Sequence, residues 1–280
     1  MDIDHLRTWI GRIEEASDLV TPRLISSYVA TFAPHLAPCP AGDAPLALHW
    51  CLAPPIAPMD ALGADGHPAK GGFLPPVPLP RRMWAGGSIE TLAPLRQGDL
   101  VTRHSRIGDV TAKDGRTGPL CFVAVAHDIA TPRGLALRER HDIVYREATS
   151  LPVAAPVHAR AEPQPSDLTW EVEAGPVLLF RYSALTFNGH RIHYDLPYVT
   201  SEEGYEGLVV HGPIQATLML NIAATLAGCL TLKLDYRGLS PLIAGGPFLV
   251  KASRQDDGTI RTWTEGADGR LRMEGTARTV

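Results

Sequence analysis

Six polar side chains that could act on a substrate lie within eight residues of one another in the second half of this 280-residue chain. They are Asn188, His190, Arg191, His193, Tyr194 and Asp195. Such a group is costly to bury unless it has partners or a function. A histidine with an ordinary pKa of ~6.5 can move a proton in either direction, so acid–base chemistry is one interpretation. Asn188-Gly189 is also typical of a type I′ turn, so a hairpin carrying solvated histidines is the other.

A second candidate element, Val209-Val210-His211-Gly212-Pro213, comes shortly afterwards and precedes a predicted helix. At a helix N-terminus the free backbone N–H groups and the positive end of the dipole could stabilise an oxyanion. A glycine that only relieves a tight turn is the alternative. A histidine-rich loop followed by a helix N-terminus is the combination that enolate chemistry on a thioester requires.

The helix that would position this element runs from Gly212 to about Ala227. Pro213 suits its first turn and Gly228 suits its C-terminal cap. Apolar residues lie nearly all around it, which predicts a buried helix with a sheet wrapped about it.

The remaining chain predicts few helices and many strands. The first half opens with a helix on the spacing of Leu6, Trp9, Ile10 and Ile13, and a second begins at Thr21-Pro22 and ends before Pro34. Strands are then predicted at 46–52, 88–92, 100–107, 120–129 and 142–146 in the first half. Those of the second half are predicted at 168–172, 177–185, 230–236, 248–254, 259–265 and 271–276.

This element order is α+β, and a helix wrapped by a curled antiparallel sheet is the hotdog arrangement. The first half looks like a looser copy of the second, so we predict a double hotdog with a degenerate N-terminal hotdog at 1–150 and a C-terminal hotdog with the catalytic segment at 167–280. Residues 151–166 are predicted to form a Pro-rich linker between them. No sequence repeat is obvious, so the duplication is inferred from element order alone.

Composition excludes several classes of function. The net charge of −4, with scattered Lys and Arg, provides no field that would gather nucleic acid or an anionic membrane. No run approaches the ~18 apolar residues needed to span a bilayer. The four cysteines are far apart, with no C-x-x-C pair, and predict reduced thiols without a metal site. We therefore expect a soluble, cytoplasmic protein with no metal and no cofactor.

Two segments resemble a known family. Arg181-Tyr-Ser-Ala-Leu-Thr-Phe-Asn-Gly-His-Arg-Ile-His193 and Gly207-Leu-Val-Val-His-Gly-Pro213 are similar to the MaoC-like hydratase group. The similarity is to its type 2 hydroxyacyl-thioester dehydratases and the related itaconyl-CoA and mesaconyl-C4-CoA hydratases. Arg82-Met-Trp-Ala-Gly-Gly-Ser88 and Asp142-Ile-Val-Tyr-Arg146 also resemble that subgroup, so the likeness covers most of the chain. It implies a hydro-lyase for which CoA is part of the substrate.

The resemblance also implies roles for individual residues. Aligned on His193, the wider pattern G-D-x-N-P-x-H of R-specific enoyl-CoA hydratases places Asn188 where that pattern has aspartate, and an amide cannot accept a proton as a carboxylate does. His193 would take a proton from a water held by Asn188, and the N–H of Gly212 would bind the thioester oxygen. The expected substrate contacts are Arg191, His190, Tyr194, His211, Arg82 and Trp84.

Several alternatives stay open at this point. The substrate could be a C5 dicarboxylyl-CoA or a 3-hydroxyacyl chain on CoA or acyl carrier protein, and a non-catalytic acyl-thioester binding module is the alternative of another class. A distal carboxylate could meet Arg81, Arg82 or Arg191, and a homodimer is one option for the assembly. In the first half we expect no catalytic His–Asn pair, and we expect its histidines His104, His127 and His141 to be structural. The segment 63–72 is predicted to be a loop, because it lacks the residue order of a nucleotide-binding motif.

Overall fold

The computed structural model describes residues 1–115, 118–147 and 165–280. The strands are β1 (Ile13–Leu19), β2 (Arg81–Thr91), β3 (Leu100–Gly115), β4 (Gly118–Thr131), β5 (Gly134–Arg146), β6 (Leu168–Glu173), β7 (Leu232–Gly238), β8 (Pro247–Arg254), β9 (Ile260–Glu265) and β10 (Leu271–Thr279). The α-helices are α1 (Ile3–Arg7), α2 (Pro22–Phe32), α3 (Pro176–Thr186), α4 (Leu196–Ser201) and α5 (Gly212–Ala227). The ten strands form one antiparallel sheet in the order β1-β3-β4-β5-β2-β7-β10-β9-β8-β6.

This strand order repeats across the middle of the sheet. Read from each edge inward, the first half runs β1-β3-β4-β5-β2 and the second runs β6-β8-β9-β10-β7, which is the same order with each number raised by five. The two halves meet where β2 pairs with β7. A helix follows the first strand of each half, α2 after β1 and α3 after β6. The topology supports the duplication that element order predicted.

Helix α5 lies in the core of the second half, where it packs against β8, β9 and β10. Pro213 stands in its first turn, and Gly228 ends it in the left-handed conformation at φ 69°. Eleven of its residues are buried, and each large apolar side chain among them stabilises the fold by about 1.5–3 kcal/mol. The helix predicted at 212–227 is confirmed.

The first half has no helix of comparable length in the equivalent place. Residues 33–80, all of which are described, contain two short 3₁₀ helices, Leu48–Cys51 and Met59–Ala61, and are otherwise irregular. Asn221 of α5 reaches this segment, because its Oδ1 accepts the N–H of Ala37 at 3.0 Å. The irregular chain of the first half is thereby attached to the buried helix of the second half.

Three local predictions were wrong. The first helix ends at Arg7, and Ile13 begins β1, an edge strand paired with β3. The apolar run at 46–52 forms the 3₁₀ helix Leu48–Cys51, and the run at 177–185 forms α3. A short apolar run fits a buried strand and a buried helix equally well by periodicity, and here Pro176 at the first helical position favours the helix.

The predicted linker at 151–166 lies almost entirely outside the described residues, and the division into domains at 1–150 and 167–280 stays a prediction. Within the part of the chain that the structure describes, no helix is both long and apolar enough to cross a membrane.

Candidate active site

The polar segment after α3 is a loop and not a hairpin. Phe187 ends α3 in the left-handed conformation at φ 50°, and a 3₁₀ turn forms at Arg191–His193. Between them the Oδ1 atom of Asn188 accepts the N–H of His190 at 2.9 Å, which closes an Asx turn. The hairpin alternative is therefore excluded, and the loop directs His190 and His193 inward, where both are buried.

His193 is held in one tautomer. Its Nδ1 donates to the carbonyl oxygen of Val209 at 2.7 Å, so the proton of the neutral ring is on Nδ1 and the lone pair is on Nε2. Burial lowers its pKa to about 4, although the hydrogen bond to Val209 acts in the opposite direction. A neutral imidazole with a free Nε2 lone pair is suited to accept a proton.

His211 stands directly before α5 and stacks on His193. The two ring centroids are 3.5 Å apart, and the ring planes are 16° apart. The Nε2 atom of His211 lies 2.9 Å from the hydroxyl oxygen of Ser183, and its buried Nδ1 has no hydrogen-bond partner among the described residues. Burial and then the charge of His193 lower the pKa of His211 well below its usual value. The pair thus resists protonation.

Gly212 begins α5 against the face of Trp84. A Cβ atom on Gly212 would lie 2.6 Å from Cε3 of Trp84, so only glycine allows this approach. The amide of Gly212 belongs to the first turn, whose N–H groups have no partner inside the helix. The position of Trp84 is fixed by the rings of Trp50, His141 and Tyr236, whose centroids lie 5.0–5.7 Å away. The helix N-terminus next to His193 can therefore present an N–H to a developing oxyanion.

A loop from the first half covers the loop at 188–191. The backbone N–H of Arg191 donates to the carbonyl oxygen of Asp65 at 2.9 Å. The Nη1 atom of Arg191 donates to the carbonyl oxygen of Ala64 at 3.0 Å. A Cβ atom on Gly66 would lie 2.0 Å from the carbonyl oxygen of Gly189, and Gly66 has a φ of 85°. These contacts bring the segment 63–67, predicted only as a loop, to the histidine cluster.

This loop carries a carboxylate–histidine pair. The Nδ1 atom of His67 donates to Oδ2 of Asp65 at 2.9 Å, and the backbone N–H of His67 donates to Oδ1 at 3.0 Å. The ring of His67 lies 4.0 Å from that of His190, which in turn lies edge-on to His193 at 5.4 Å. Burial acts to raise the pKa of Asp65, but the hydrogen bonds and charge of His67 outweigh it and the pKa is lowered.

The neighbouring imidazoles are also held neutral. Burial lowers the pKa of His67. The hydrogen bond that His67 donates to Asp65 opposes this effect, and the charge of Arg82 adds to it. Burial, followed by the charges of His67 and His193, lowers the pKa of His190 to about 2. Within the described residues, Asp65, His67 and His190 each have a donor atom within 4.8 Å of the others, a spacing that a metal ion could use. Because His67 Nδ1 and both oxygens of Asp65 are engaged in hydrogen bonds, we assign the group to hydrogen bonding. The absence of a metal and of a cofactor stays a prediction.

The other predicted substrate contacts are not all brought together. Arg191 pairs with Asp195 at 2.8 Å and stacks on the ring of Tyr198, and Tyr194 is exposed, with its hydroxyl on the carbonyl oxygen of Gly189. Arg82 lies close enough to His67 and His190 to lower the pKa of each. Of the three candidate arginines, Arg81 forms an ion pair with Glu203. Arg82 alone of the three forms no ion pair within the described residues.

Sequence reasoning missed Asp65 and His67. Their segment, Gly63-Ala-Asp-Gly-His-Pro-Ala-Lys-Gly-Gly72, is rich in loop residues, and only its Asp-x-His spacing could have suggested a paired carboxylate and imidazole. That spacing is too common to indicate a site until the fold places it beside His190. His127 and His141 lie in strands, where Nδ1 of His127 lies 2.8 Å from Oγ of Ser105 and Nε2 of His141 lies 2.7 Å from Oε1 of Glu139.

Known proteins are similar to this chain in fold and in sequence. The family model for hydroxyacyl-thioester dehydratase type 2 matches residues 47–244. A mesaconyl-C(4)-CoA hydratase from Chloroflexus aurantiacus is 42% identical over 270 residues, which cover 96% of this chain and 95% of that protein. Two solved structures align over nearly the whole chain at 13% identity. A MaoC-like dehydratase has a TM-score of 0.69 over 97% of this chain and 98% of that one. A conserved hypothetical protein with a double hotdog fold from Mycobacterium tuberculosis has a TM-score of 0.54 over 96% of each chain.

The predicted fold is confirmed: the molecule is a double hotdog. The chain belongs to the hydroxyacyl-thioester dehydratase type 2 family, as the resemblance of its two motifs indicated.

Proposed function

We propose that the protein is a hydro-lyase that adds water to mesaconyl-C4-CoA, the C4 thioester of 2-methylfumarate. The observation that carries the reaction is the position of a neutral His193 imidazole next to the N-terminus of α5, between Val209 and His211. The choice of acyl group rests on the 42% identity with a protein of that name. CoA is part of the substrate in this proposal, and no cofactor takes part.

The site supports a simple reaction sequence. The thioester oxygen accepts the N–H of Gly212, so the dipole of α5 stabilises the enolate oxygen. Nε2 of His193 takes a proton from water while the water oxygen forms a bond to the β carbon and the π electrons move toward the thioester. The proton on His193 then passes to the α carbon, which restores the neutral imidazole. Asn188 shapes the loop that presents His193, because its Oδ1 accepts the N–H of His190.

Arg82 suits the distal carboxylate of this substrate. In the 4-thioester of 2-methylfumarate the carboxylate is attached to the β carbon, so its partner must lie near the atom that receives the hydroxyl. Arg82 and Trp84 are alternate residues of β2, about 7 Å apart along one face, and Trp84 contacts Gly212. A thioester at Gly212 therefore places the short acyl chain toward Arg82, the arginine without an ion-pair partner among the described residues.

In this proposal the acyl group is lined by His190, His211 and Trp84. Arg191 and Tyr194 hold the loop in place and do not contact the thioester. A cytoplasmic location and a homodimer belong to the same proposal, and light scattering after size-exclusion chromatography tests the dimer.

A panel of CoA thioesters tests the substrate assignment. Loss of enoyl-thioester absorbance is followed with mesaconyl-C4-CoA, itaconyl-CoA and crotonyl-CoA, with product mass as the second readout. We expect kcat/KM to be highest for mesaconyl-C4-CoA. A preference for crotonyl-CoA would favour a 3-hydroxyacyl-thioester dehydratase, which is the named activity of more distant relatives at 23–24% identity. Binding without turnover of any of the three would favour an acyl-thioester binding module.

A further inference from the structure

We propose that His67, oriented by Asp65, is a second catalytic histidine that binds the reacting water together with His193. The inference rests on the proposed hydration. It means that a residue from the first half of the chain contacts the water on the side of the substrate that receives the hydroxyl group. It adds a site residue that neither the motifs nor the family pattern singled out.

The geometry of the pair determines which nitrogen of His67 faces the site. Nδ1 of His67 donates to Oδ2 of Asp65, so in the neutral ring the lone pair is on Nε2. The side chain of His67 is 21% exposed, so it borders open space and is not sealed in the core. Its ring lies against His190, and His190 lies edge-on to His193. His67 and His193 therefore both lie next to the ring of His190, and each donates its Nδ1 proton to an oxygen atom.

A water has two hydrogens, and the two Nε2 atoms can accept one each. The hydrogen given to His193 passes to the α carbon after the C–O bond has formed at the β carbon. The hydrogen accepted by His67 stays with the oxygen and becomes the hydroxyl hydrogen of the product. No charge is left on His67 at the end of the step, so the reaction needs only water as the second reactant.

Asn188 is poorly placed for the same task. The amide oxygen of Asn188 already accepts the N–H of His190 and thereby shapes the loop. The wider hydratase pattern has a carboxylate at position 188. In this chain the Asp65 residue lies next to the loop, because its carbonyl oxygen accepts the N–H of Arg191. Arg82, the proposed partner of the substrate carboxylate on the β carbon, lies near His67. The hydroxyl side of the substrate therefore faces His67.

The test separates water binding from proton transfer at the α carbon. Hydration of mesaconyl-C4-CoA is compared with deuterium uptake at the α carbon of its saturated analogue, methylsuccinyl-C4-CoA, in deuterium oxide. Exchange requires a base and the oxyanion site but no bound water. We expect His67→Ala to lower kcat for hydration by about 10²-fold or more and to keep α-carbon exchange within about threefold of wild type.

Asp65→Asn provides a second variant that keeps the shape of the loop. The Asn amide would donate to Nδ1 of His67 and move the ring proton to Nε2, which could then no longer accept a hydrogen from water. We expect lower hydration with exchange retained, as for His67→Ala. His104→Ala is the matched control, because His104 forms an exposed pair with Glu15 at 3.1 Å on the outer strands, and it should leave both rates unchanged.

Four results would overturn the inference. The first is hydration by His67→Ala within about threefold of wild type. The second is an equal loss of exchange and hydration in both variants, which would mean that the pair only supports the fold. The third is hydration that is lost on treatment with a chelator and restored by Zn²⁺, which would assign Asp65, His67 and His190 to a metal ion. The fourth is a wild-type protein that does not hydrate mesaconyl-C4-CoA, which would overturn the proposed function and this inference with it.

Discussion

The rings of His193 and His211 lie face to face, 3.5 Å between centroids. A proton on either ring would place a positive charge against the neighbouring imidazole in a buried site, and burial lowers the pKa of both. Burial therefore keeps His193 neutral, which is the form that can accept a proton from water. The hydrogen bond to Val209 fixes the tautomer, so the free lone pair of the neutral ring is on Nε2.

The pH dependence of hydration should report this lowered pKa. His193 must be neutral to act, so kcat/KM should hold constant from neutral pH downward and fall near the pKa of about 4, well below the ordinary ~6.5 of histidine. The same shift affects stability: between pH ~6.5 and the lowered pKa the unfolded chain binds protons that the folded chain does not, so stability falls as the pH falls through that window. Unfolding temperatures measured at each pH separate the two effects. If kcat/KM fell near pH ~6.5 while the protein was still folded, His193 would not be the group that must be neutral.

The contact between Gly212 and Trp84 should be sensitive to a single methyl group. In Gly212→Ala the added Cβ would lie 2.6 Å from Trp84, so the ring or the start of α5 must move. A displacement of about 1 Å can cost about 10²-fold in rate, and we expect kcat for hydration to fall by that order. Gly175→Ala is the control, because this glycine precedes α3 with open space around it. Equal activities of the two variants would show that the N-terminus of α5 does not take part.

Docking of the first-half loop on the histidine loop depends on Gly66. Its φ of 85° and the 2.0 Å approach of an added Cβ to the carbonyl oxygen of Gly189 both oppose alanine. We expect Gly66→Ala to lower hydration by at least about tenfold. Gly11→Ala has the same backbone strain at φ 86° but no atom within 4 Å, so it should reduce the unfolding temperature without a change in kcat. A similar kcat for both glycine variants would mean that the loop contact does not matter for catalysis.

Arg82 should determine the preference for a dicarboxylyl chain. Removal of its charge in Arg82→Gln should raise KM for mesaconyl-C4-CoA by about ten- to hundredfold, because one charge-assisted hydrogen bond to the substrate is lost. KM for crotonyl-CoA, which has no distal carboxylate, should stay the same. Arg138→Gln, on the exposed side of β5 and 3.9 Å from Asp128, is the matched control. Equal effects of Arg82→Gln on both substrates would move the carboxylate partner elsewhere.

The sequence was most informative where local signals and tertiary packing agree. Pro213 and Gly228 mark the ends of α5, and the apolar residues around it predict its burial, so its range was found without error. Thr21 and Pro22 mark the start of α2 in the same way, because the Thr21 hydroxyl accepts the N–H of Leu24. The helix α3 was mistaken for a strand because a short apolar run has no decisive period.

The sequence predicted the candidate site only in part, for a physical reason. His193, His211 and Gly212 belong to two neighbouring motifs, so their spacing in the sequence reveals them together. Asp65 and His67 come from a loop more than a hundred residues earlier, and they reach the cluster through backbone contacts of Gly66 and Arg191. Those contacts depend on how the two halves pair through β2 and β7, and no local pattern specifies them.

The role of His193 is tested by comparing the hydration of mesaconyl-C4-CoA by the wild-type protein and by His193→Gln. Loss of the enoyl-thioester absorbance gives the rate, and mass spectrometry of the product identifies the addition of one water. Circular dichroism and thermal unfolding of both proteins confirm that the variant is folded. We predict that the wild-type protein forms the hydrated thioester and that the variant loses ~10²–10⁴-fold in kcat. A folded variant that keeps more than about a tenth of the wild-type kcat would show that His193 does not move the proton.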